Sequence, residues 1–333
     1  MLRPYLCLIS IRVLTLYRYD VLLLFFEVGM INLIDHLYPK GYCLRLSDGN
    51  NWWITGYGDS IRFAEKFSNI LALKECPSGN LPKLIYFRRE KDADGRNIAF
   101  HSQSSLTSKV ICGVEDYRVI LIWYGNSDAL CEIRDKNSDL TFNYTAMWYS
   151  LYAVYSRSMQ IGGLPFHSGL AEFNGKGVLF AGQSGAGKST CCRRLPDHWK
   201  SLCDDETLVV LTKDNVYRAH PCPTWSDYLA GRTEKKYDVQ YSVPVSAFFF
   251  LEQSEKDEVI PLPKYRASIL ITNLSAQIFS KSKSFQHNKI RTSIQELTFN
   301  NASNMAKAIP AFILRVSLIG RFWEKIEDIL KVI

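Results

Sequence analysis

The stretch Gly177-Val178-Leu179-Phe180-Ala181-Gly182-Gln183-Ser184-Gly185-Ala186-Gly187-Lys188-Ser189-Thr190 decides how the rest of the chain is read. Residues 182–189 satisfy the pattern G-x-x-x-x-G-K-[ST]. The apolar run before them reads as a short strand, and Thr190 to Leu195 reads as a helix ending before Pro196. Strand, glycine-rich loop and helix are the context in which this pattern works. The glycines let the backbone curl so that successive N–H groups point inward and cradle phosphate oxygens. Lys188 is expected to reach the β- and γ-phosphates, the Ser189 hydroxyl to ligate Mg²⁺, and the helix start at Thr190 to add its positive end. The loop residues Gly182, Gln183, Ser184, Gly185, Ala186, Gly187, Lys188, Ser189 and Thr190 therefore form a candidate site for a nucleoside triphosphate, expected to be ATP.

Two neighbours make this loop more particular. His167 lies 21 residues before Lys188, ahead of an expected hairpin: Leu170 to Phe173, a turn at Asn174-Gly175-Lys176-Gly177, then the loop's own strand. Asp204-Asp205 lie 16 and 17 residues after Lys188, a spacing that fits one helix and a return strand. One carboxylate, assigned to Asp205, is expected to hold the metal with Ser189. The other could orient or deprotonate a hydroxyl attacking the γ-phosphate. Taken alone, the two acids would read as a solvated turn or a helix cap, and His167 as a satisfied buried histidine.

Together these residues resemble the catalytic domain of HPr kinase/phosphorylase, the bacterial serine kinases related to phosphoenolpyruvate carboxykinases. The order histidine, hairpin, P-loop strand, P-loop, short helix and Asp-Asp pair runs here over about residues 165–212. The resemblance implies a phosphoryl-transfer centre at His167, Asp204 and Asp205, with Ser189 and an aspartate on the metal. The family assembles as hexamers, which implies a homo-oligomer without naming the residues that would form it. The chain departs from the pattern at Gln183, where the family commonly has an acid. It also carries His220-Pro221-Cys222-Pro223-Thr224-Trp225-Ser226-Asp227 where a glycine- and arginine-rich signature is expected. The run Tyr217 to Leu229, with Ser242-Val243-Pro244 and Phe248 to Glu252, is similar to the protein C subgroup of the SynChlorMet peptide-modification cassettes. Such proteins accompany radical-SAM enzymes and small PqqD-like peptide-binding proteins, so the likeness implies a precursor peptide as partner. His220, Thr224, Trp225 and Asp227 are expected in a proline-ordered loop. That loop either shapes the acceptor pocket or packs at the surface with Trp225 as anchor.

Composition bounds the rest. The 333 residues suggest an uncertain extension at 1–29, an α+β region at 30–160 and the P-loop domain at 161–333, giving an α/β protein overall. A net charge of +7 is too mild to argue for nucleic acid. Within residues 1–29, Arg12, Arg18, Asp20 and Glu27 interrupt every window long enough to span a bilayer, and no cleavage site of a signal peptide follows. An upstream extension ahead of Met30 fits better, and no membrane association is expected. Nine cysteines without a CxxC predict reduced thiols and a cytoplasmic protein. Cys191, Cys192, Cys203, His220 and Cys222 match no standard zinc spacing.

Before the loop, strands are expected at Tyr42 to Leu46, Trp52 to Thr55, Leu84 to Phe87, Val110 to Cys112 and Val119 to Trp123. A helix is expected over Ile61 to Leu73, a loop over Arg88 to Arg96, and a helix over Thr145 to Gln160 with Met147, Leu151 and Val154 on one side. After the loop, Thr207 to Leu211 and Pro244 to Leu251 read as strands, and Ala267 to Phe279 and Arg321 to Val332 as helices. Lys281, Lys283, Lys289 and Arg291 read as a solvated basic face. The sequence thus leads to Mg²⁺-dependent transfer of the ATP γ-phosphate to a hydroxyl. The alternatives are an ATPase without acceptor and a nucleotide-regulated peptide-binding module.

Overall fold

The computed structural model describes residues 41–77, 79–87, 108–114, 117–124, 128–135, 144–232, 234–279 and 288–333, with the side chains at 108–128, 134, 135 and 288–291 outside the description. Residues 1–29, the Arg88 to Arg96 loop, Lys281 and Lys283, and the side chains of Lys289 and Arg291 therefore lie outside it. Among the described residues no helix is long and apolar enough to cross a membrane.

The fold is mixed α/β with two sheets. The first begins with β1 (Gly41–Arg45) and β2 (Asn51–Gly56), an antiparallel hairpin closed over the polar segment 46–50. Helix α1 (Ser60–Ile70) follows and buries Phe63, Ala64, Phe67 and Ile70, the i, i+1, i+4, i+7 spacing of one helical face. Then come β3 (Lys74–Cys76), β4 (Lys83–Phe87), β5 (Ser108–Val114), β6 (Tyr117–Tyr124) and β7 (Asp128–Asp135). Their order is β3-β1-β2-β4-β7-β6-β5, with β2, β4 and β7 parallel to their neighbours in that trio and the other pairs antiparallel.

The expected helix over 145–160 forms as two pieces, α2 (Tyr144–Ser150) and α3 (Tyr152–Gln160). At Leu151 the backbone N–H bonds back to Trp148 O at 3.1 Å, a tighter i→i−3 step that interrupts the α ladder. Met147, Leu151 and Val154 are buried as expected, but so are Tyr149, Tyr152, Ala153 and Tyr155. These helices are covered on more than one side.

The second sheet runs β11-β9-β10-β14-β13-β12-β8, with β16 beside β14 and β15 beside β16. Its strands are β8 (Leu164–Phe166), β9 (Ser168–Phe173), β10 (Lys176–Ala181), β11 (Lys200–Cys203), β12 (Thr207–Leu211), β13 (Tyr217–Pro221), β14 (Val243–Gln253), β15 (Glu258–Pro261) and β16 (Ala311–Val316). The helices between and after them are α4 (Lys188–Arg194), α5 (Trp225–Leu229), α6 (Lys264–Phe279), α7 (Asn288–Ala308) and α8 (Phe322–Leu330). Strands β10, β14 and β16 are parallel and central. Phe248 and Phe250 of β14 face one core, with Leu179, Ala181 and α6. Ala247, Phe249 and Leu251 face the other, with Val178, Phe180, Phe312 and the α8 residues Phe322, Ile326 and Leu330. Burial on both faces explains the unbroken apolar run of that strand. Each fully buried phenylalanine contributes roughly 1.5–3 kcal/mol by burial.

Two expectations change. The thiols were expected to be reduced, yet Cys43 and Cys76 form a disulfide that cross-links β1 to β3 with their Cα atoms 5.9 Å apart. The antiparallel pairing sets Cys43 opposite Lys74 and Gly41 opposite Cys76, which brings the two sulfurs together across 33 residues of sequence. His220 and Pro221 belong to β13 and not to a loop, because their register against β12 puts His220 opposite Leu208, in the sheet interior. Trp225 and Asp227, expected in the same loop, belong to helix α5; helix α7 and strands β3, β7, β8, β13, β15 and β16 have no counterpart among the expected elements.

Candidate functional site

The hairpin β9–β10 turns at Asn174 (φ 48°) and Gly175 (φ 76°), two left-handed residues in a row, the geometry of a type I′ turn that matches strand twist. That two-residue turn fixes the register. Ser168 pairs with Ala181, so His167 lands beside Gly182 at the start of the loop. Strand β11 adds to the outer side of β9 with Cys203 opposite Leu170, and β12 starts with Thr207 opposite Phe166. Residues 204–206 consequently cross the same end of the sheet, tied there by the Thr207 hydroxyl donating to Ser168 O at 3.2 Å.

Helix α4 begins at Lys188, with Gly187 at its cap in a left-handed conformation (φ 101°) that a side chain would strain. Lys188 is 6% exposed, and its ammonium donates to Gly182 O at 3.0 Å and Gln183 O at 3.1 Å. Burial pushes its pKa below the ordinary lysine value, while the negative charge of Asp205 pulls it back up. A buried ammonium resting on two neutral carbonyls is poised for an anion in the same cradle.

His167 Nδ1 stands 3.1 Å from Asp205 Oδ1, both half-buried. Asp204 Oδ1 accepts a 2.6 Å hydrogen bond from the Thr224 hydroxyl, which comes from the segment leading into α5. A cleft of about 700 Å³ joins these groups to the loop; Ser184, Gly185, Gly187, Lys188, Ser189 and Thr190 line it. This is the size of an ordinary small-molecule site. Gly182 and Gln183 sit behind that lining and serve it through their carbonyls, and the Ala186 N–H closes the turn onto Gln183 O at 3.1 Å.

Away from the loop the cleft is walled by Trp148, Trp225, Ser226, Leu229, Gln277 and Ile278. Trp148 and its anchor, Glu206, escaped the sequence reading. Glu206 is 2% exposed; it accepts from Trp148 Nε1 at 2.6 Å and from the Tyr155 hydroxyl. A third acid directly after the Asp pair was the one signal available, and it carries no mark of burial. Of the other expected residues, Thr224 and Trp225 belong to the site. Asp227 pairs with Arg232 at 3.0 Å at the surface. His220 is buried elsewhere, its Nδ1 bonded to Val239 O at 2.8 Å and its Nε2 accepting from Ser47 N–H at 3.2 Å.

Among the described residues no group of three or more His, Cys, Asp or Glu is placed to hold a metal ion. Burial pushes the Cys191 and Cys203 thiols up to about 12, and Cys192 and Cys222 rise as well, so all four stay protonated and unreactive.

Residues 129–331 match the model of a family described as SynChlorMet cassette protein ScmC. Among solved structures, the Hpr(Ser) kinase/phosphatase from Coxiella burnetii is similar at 14% identity, over 50% of this chain and 88% of that one, with a TM-score of 0.27. No curated relative matches the chain.

Proposed function

We propose, from the premise that this chain belongs to the SynChlorMet cassette protein ScmC family, that it transfers the γ-phosphate of ATP to a hydroxyl of a precursor peptide. One observation carries the reading: His167, Asp205 and Lys188 meet at the mouth of the loop, with His167 Nδ1 3.1 Å from Asp205 Oδ1 and Asp205 acting on the Lys188 charge.

Mg²⁺ fits the donors present. No protein cage exists among the described residues, but Mg²⁺ in triphosphate sites takes one or two protein oxygens and completes its shell with phosphate and water. Ser189 and Asp205 would hold it, and when bound it would neutralise charge on the phosphates and hold them in line. Lys188 would leave the carbonyls of Gly182 and Gln183 for the β- and γ-phosphates, and the loop's N–H groups would cradle the rest. Thr224 occupies Oδ1 of Asp204, so proton transfer falls to Oδ2. That oxygen would take the acceptor's proton as the acceptor oxygen bonds to the γ-phosphorus, the bond from the γ-phosphorus to the β–γ bridging oxygen breaks and ADP leaves. His167 would hold Asp205 in place.

The test is transfer of labelled γ-phosphate from Mg-ATP to peptides of the cassette. Label in a peptide serine or threonine is the expected result; ATP bound with neither transfer nor turnover would overturn the kinase reading. Its radical-SAM and PqqD-like companions are the natural partners to supply such a peptide.

A further inference from the structure

The two walls of the cleft differ in chemistry. One is the phosphate loop, polar and carrying Lys188. The other is Trp148, Trp225, Leu229 and Ile278, interleaved with the neutral polar residues Ser226 and Gln277, so that it is mostly apolar and bears no charge. The acids and His167 lie at the seam between them. The apolar wall is held rigidly. Trp148 is fixed through its indole N–H to the buried Glu206. Trp225, 1% exposed, stacks on Phe67 of α1 with ring centroids 6.4 Å apart and 14° between planes. The Tyr152 hydroxyl donates to Ile278 O. At the rim the pattern reverses: Leu229, the last residue of α5, is 52% exposed.

We infer that the apolar wall is the acceptor subsite, and that the acceptor is a peptide segment whose serine or threonine is flanked by uncharged, apolar residues. The inference rests on the phosphotransferase reading. Its argument is one of charge and reach. Lys188 belongs to the phosphates, and among the described residues the wall adds no cation to meet an acidic acceptor and no carboxylate to meet a basic one. A charged flank placed there would lose its hydration without a partner. A preformed wall with two locked tryptophans and two aliphatic side chains favours apolar contacts instead, and Ser226 and Gln277 can meet the neutral polar groups of a peptide backbone. Leu229, exposed at the rim, offers further apolar surface to a ligand that runs out of the cleft, as a peptide does and a small alcohol does not. In the reaction the peptide hydroxyl oxygen bonds to the γ-phosphorus, the P–O bond to ADP breaks, and the hydroxyl proton passes to Asp204.

The experiment uses the full chain with labelled Mg-ATP and three sets of synthetic hexapeptides with one central serine, flanked by leucine and valine, by lysine, or by glutamate. ATP consumption is followed in the same samples. The apolar set should be labelled at least about tenfold faster than either charged set, the scale of discrimination by a modest apolar contact. Leu229→Lys should shift preference toward the glutamate-flanked set. Equal or faster labelling of a charged set overturns the inference, and so does labelling of free serine or glycerol in preference to all peptides. ATP consumption without label in any peptide overturns it too and leaves ATP turnover standing. ATP bound without consumption or label removes the phosphotransferase reading itself.

Discussion

His167 and Asp205, 38 positions apart in sequence, face each other with Nδ1 and Oδ1 3.1 Å apart because the Ser168–Ala181 register and the β11–β12 crossing end on the same edge. Replacing Asp204 or Asp205 by Asn keeps shape and removes charge. Turnover should fall at least about a hundredfold in each while nucleotide is still bound, and His167→Ala should cost about tenfold, the scale of an orienting partner. Single-turnover ATP consumption with parallel calorimetry checks this; unchanged consumption in both Asn variants would remove the acids from the chemistry.

Lys188→Ala should abolish Mg-ATP binding and leave the fold in place. Among the described residues the ammonium donates to Gly182 O and Gln183 O, both within its own loop. Calorimetry reads the loss, and circular dichroism the retained fold. Binding as tight as in the parent chain would refute the assignment.

His220 makes the protein sensitive to acid. Its Nε2 accepts from the Ser47 N–H, so the ring must be neutral with the proton on Nδ1 facing Val239 O. Burial drives its pKa down to about 4 from the ordinary 6.5, and the nearby Arg218 adds to the drop. The unfolded chain therefore binds more protons between those values. The associated stability is complete above pH ~6.5 and is lost as pH falls toward ~4, by about 3 kcal/mol in all. Urea melts at pH 7 and pH 4.5 should differ by most of this. In His220→Gln, whose amide can donate to one partner and accept from the other, the difference should shrink.

Glu206→Gln should destabilise the protein by about 1–3 kcal/mol, since it removes the anionic acceptor of two buried hydrogen bonds and forces the Tyr155 hydroxyl to give up its donation and accept from the new N–H₂. Both carboxylate oxygens are in use, by Trp148 Nε1 and by the Tyr155 hydroxyl. The urea midpoint measures the loss. The tryptophan emission should shift as well, because Trp148 loses its anchor.

Reducing the Cys43–Cys76 bridge should lower stability by about 2–4 kcal/mol, because the cross-link restricts the unfolded chain over 33 residues. Cys43 and Cys76 should resist alkylation in denaturant until a reductant is added. Alkylation of both without reductant would show that the bridge does not form.

The sequence by itself determined the local grammar. Gly182 to Ser189 between an apolar run and a helix, the Asn174-Gly175 turn, and the apolar stretch of β14 are each written by neighbours in the chain, through backbone conformation and side-chain period. They gave the P-loop and its hairpin, and so the end of the sheet at which His167 stands. Helix α7 carries only a faint local signal: Ala302, Met305, Ala306 and Ile309 repeat at helical spacing and are buried, but small residues make a weak apolar stripe within a polar run. Only the tertiary structure decided the rest. Whether the third acid in Asp204-Asp205-Glu206 is solvated or buried depends on Trp148 and Tyr155, more than 50 residues away. The disulfide depends on how β3 pairs with β1. His220 stands in a proline-flanked run with the local pattern of a loop, and the pairing of β13 with β12 makes it a buried strand residue. Each is a long-range pairing, set by which surfaces exclude water together, and no pattern within one short window encodes it.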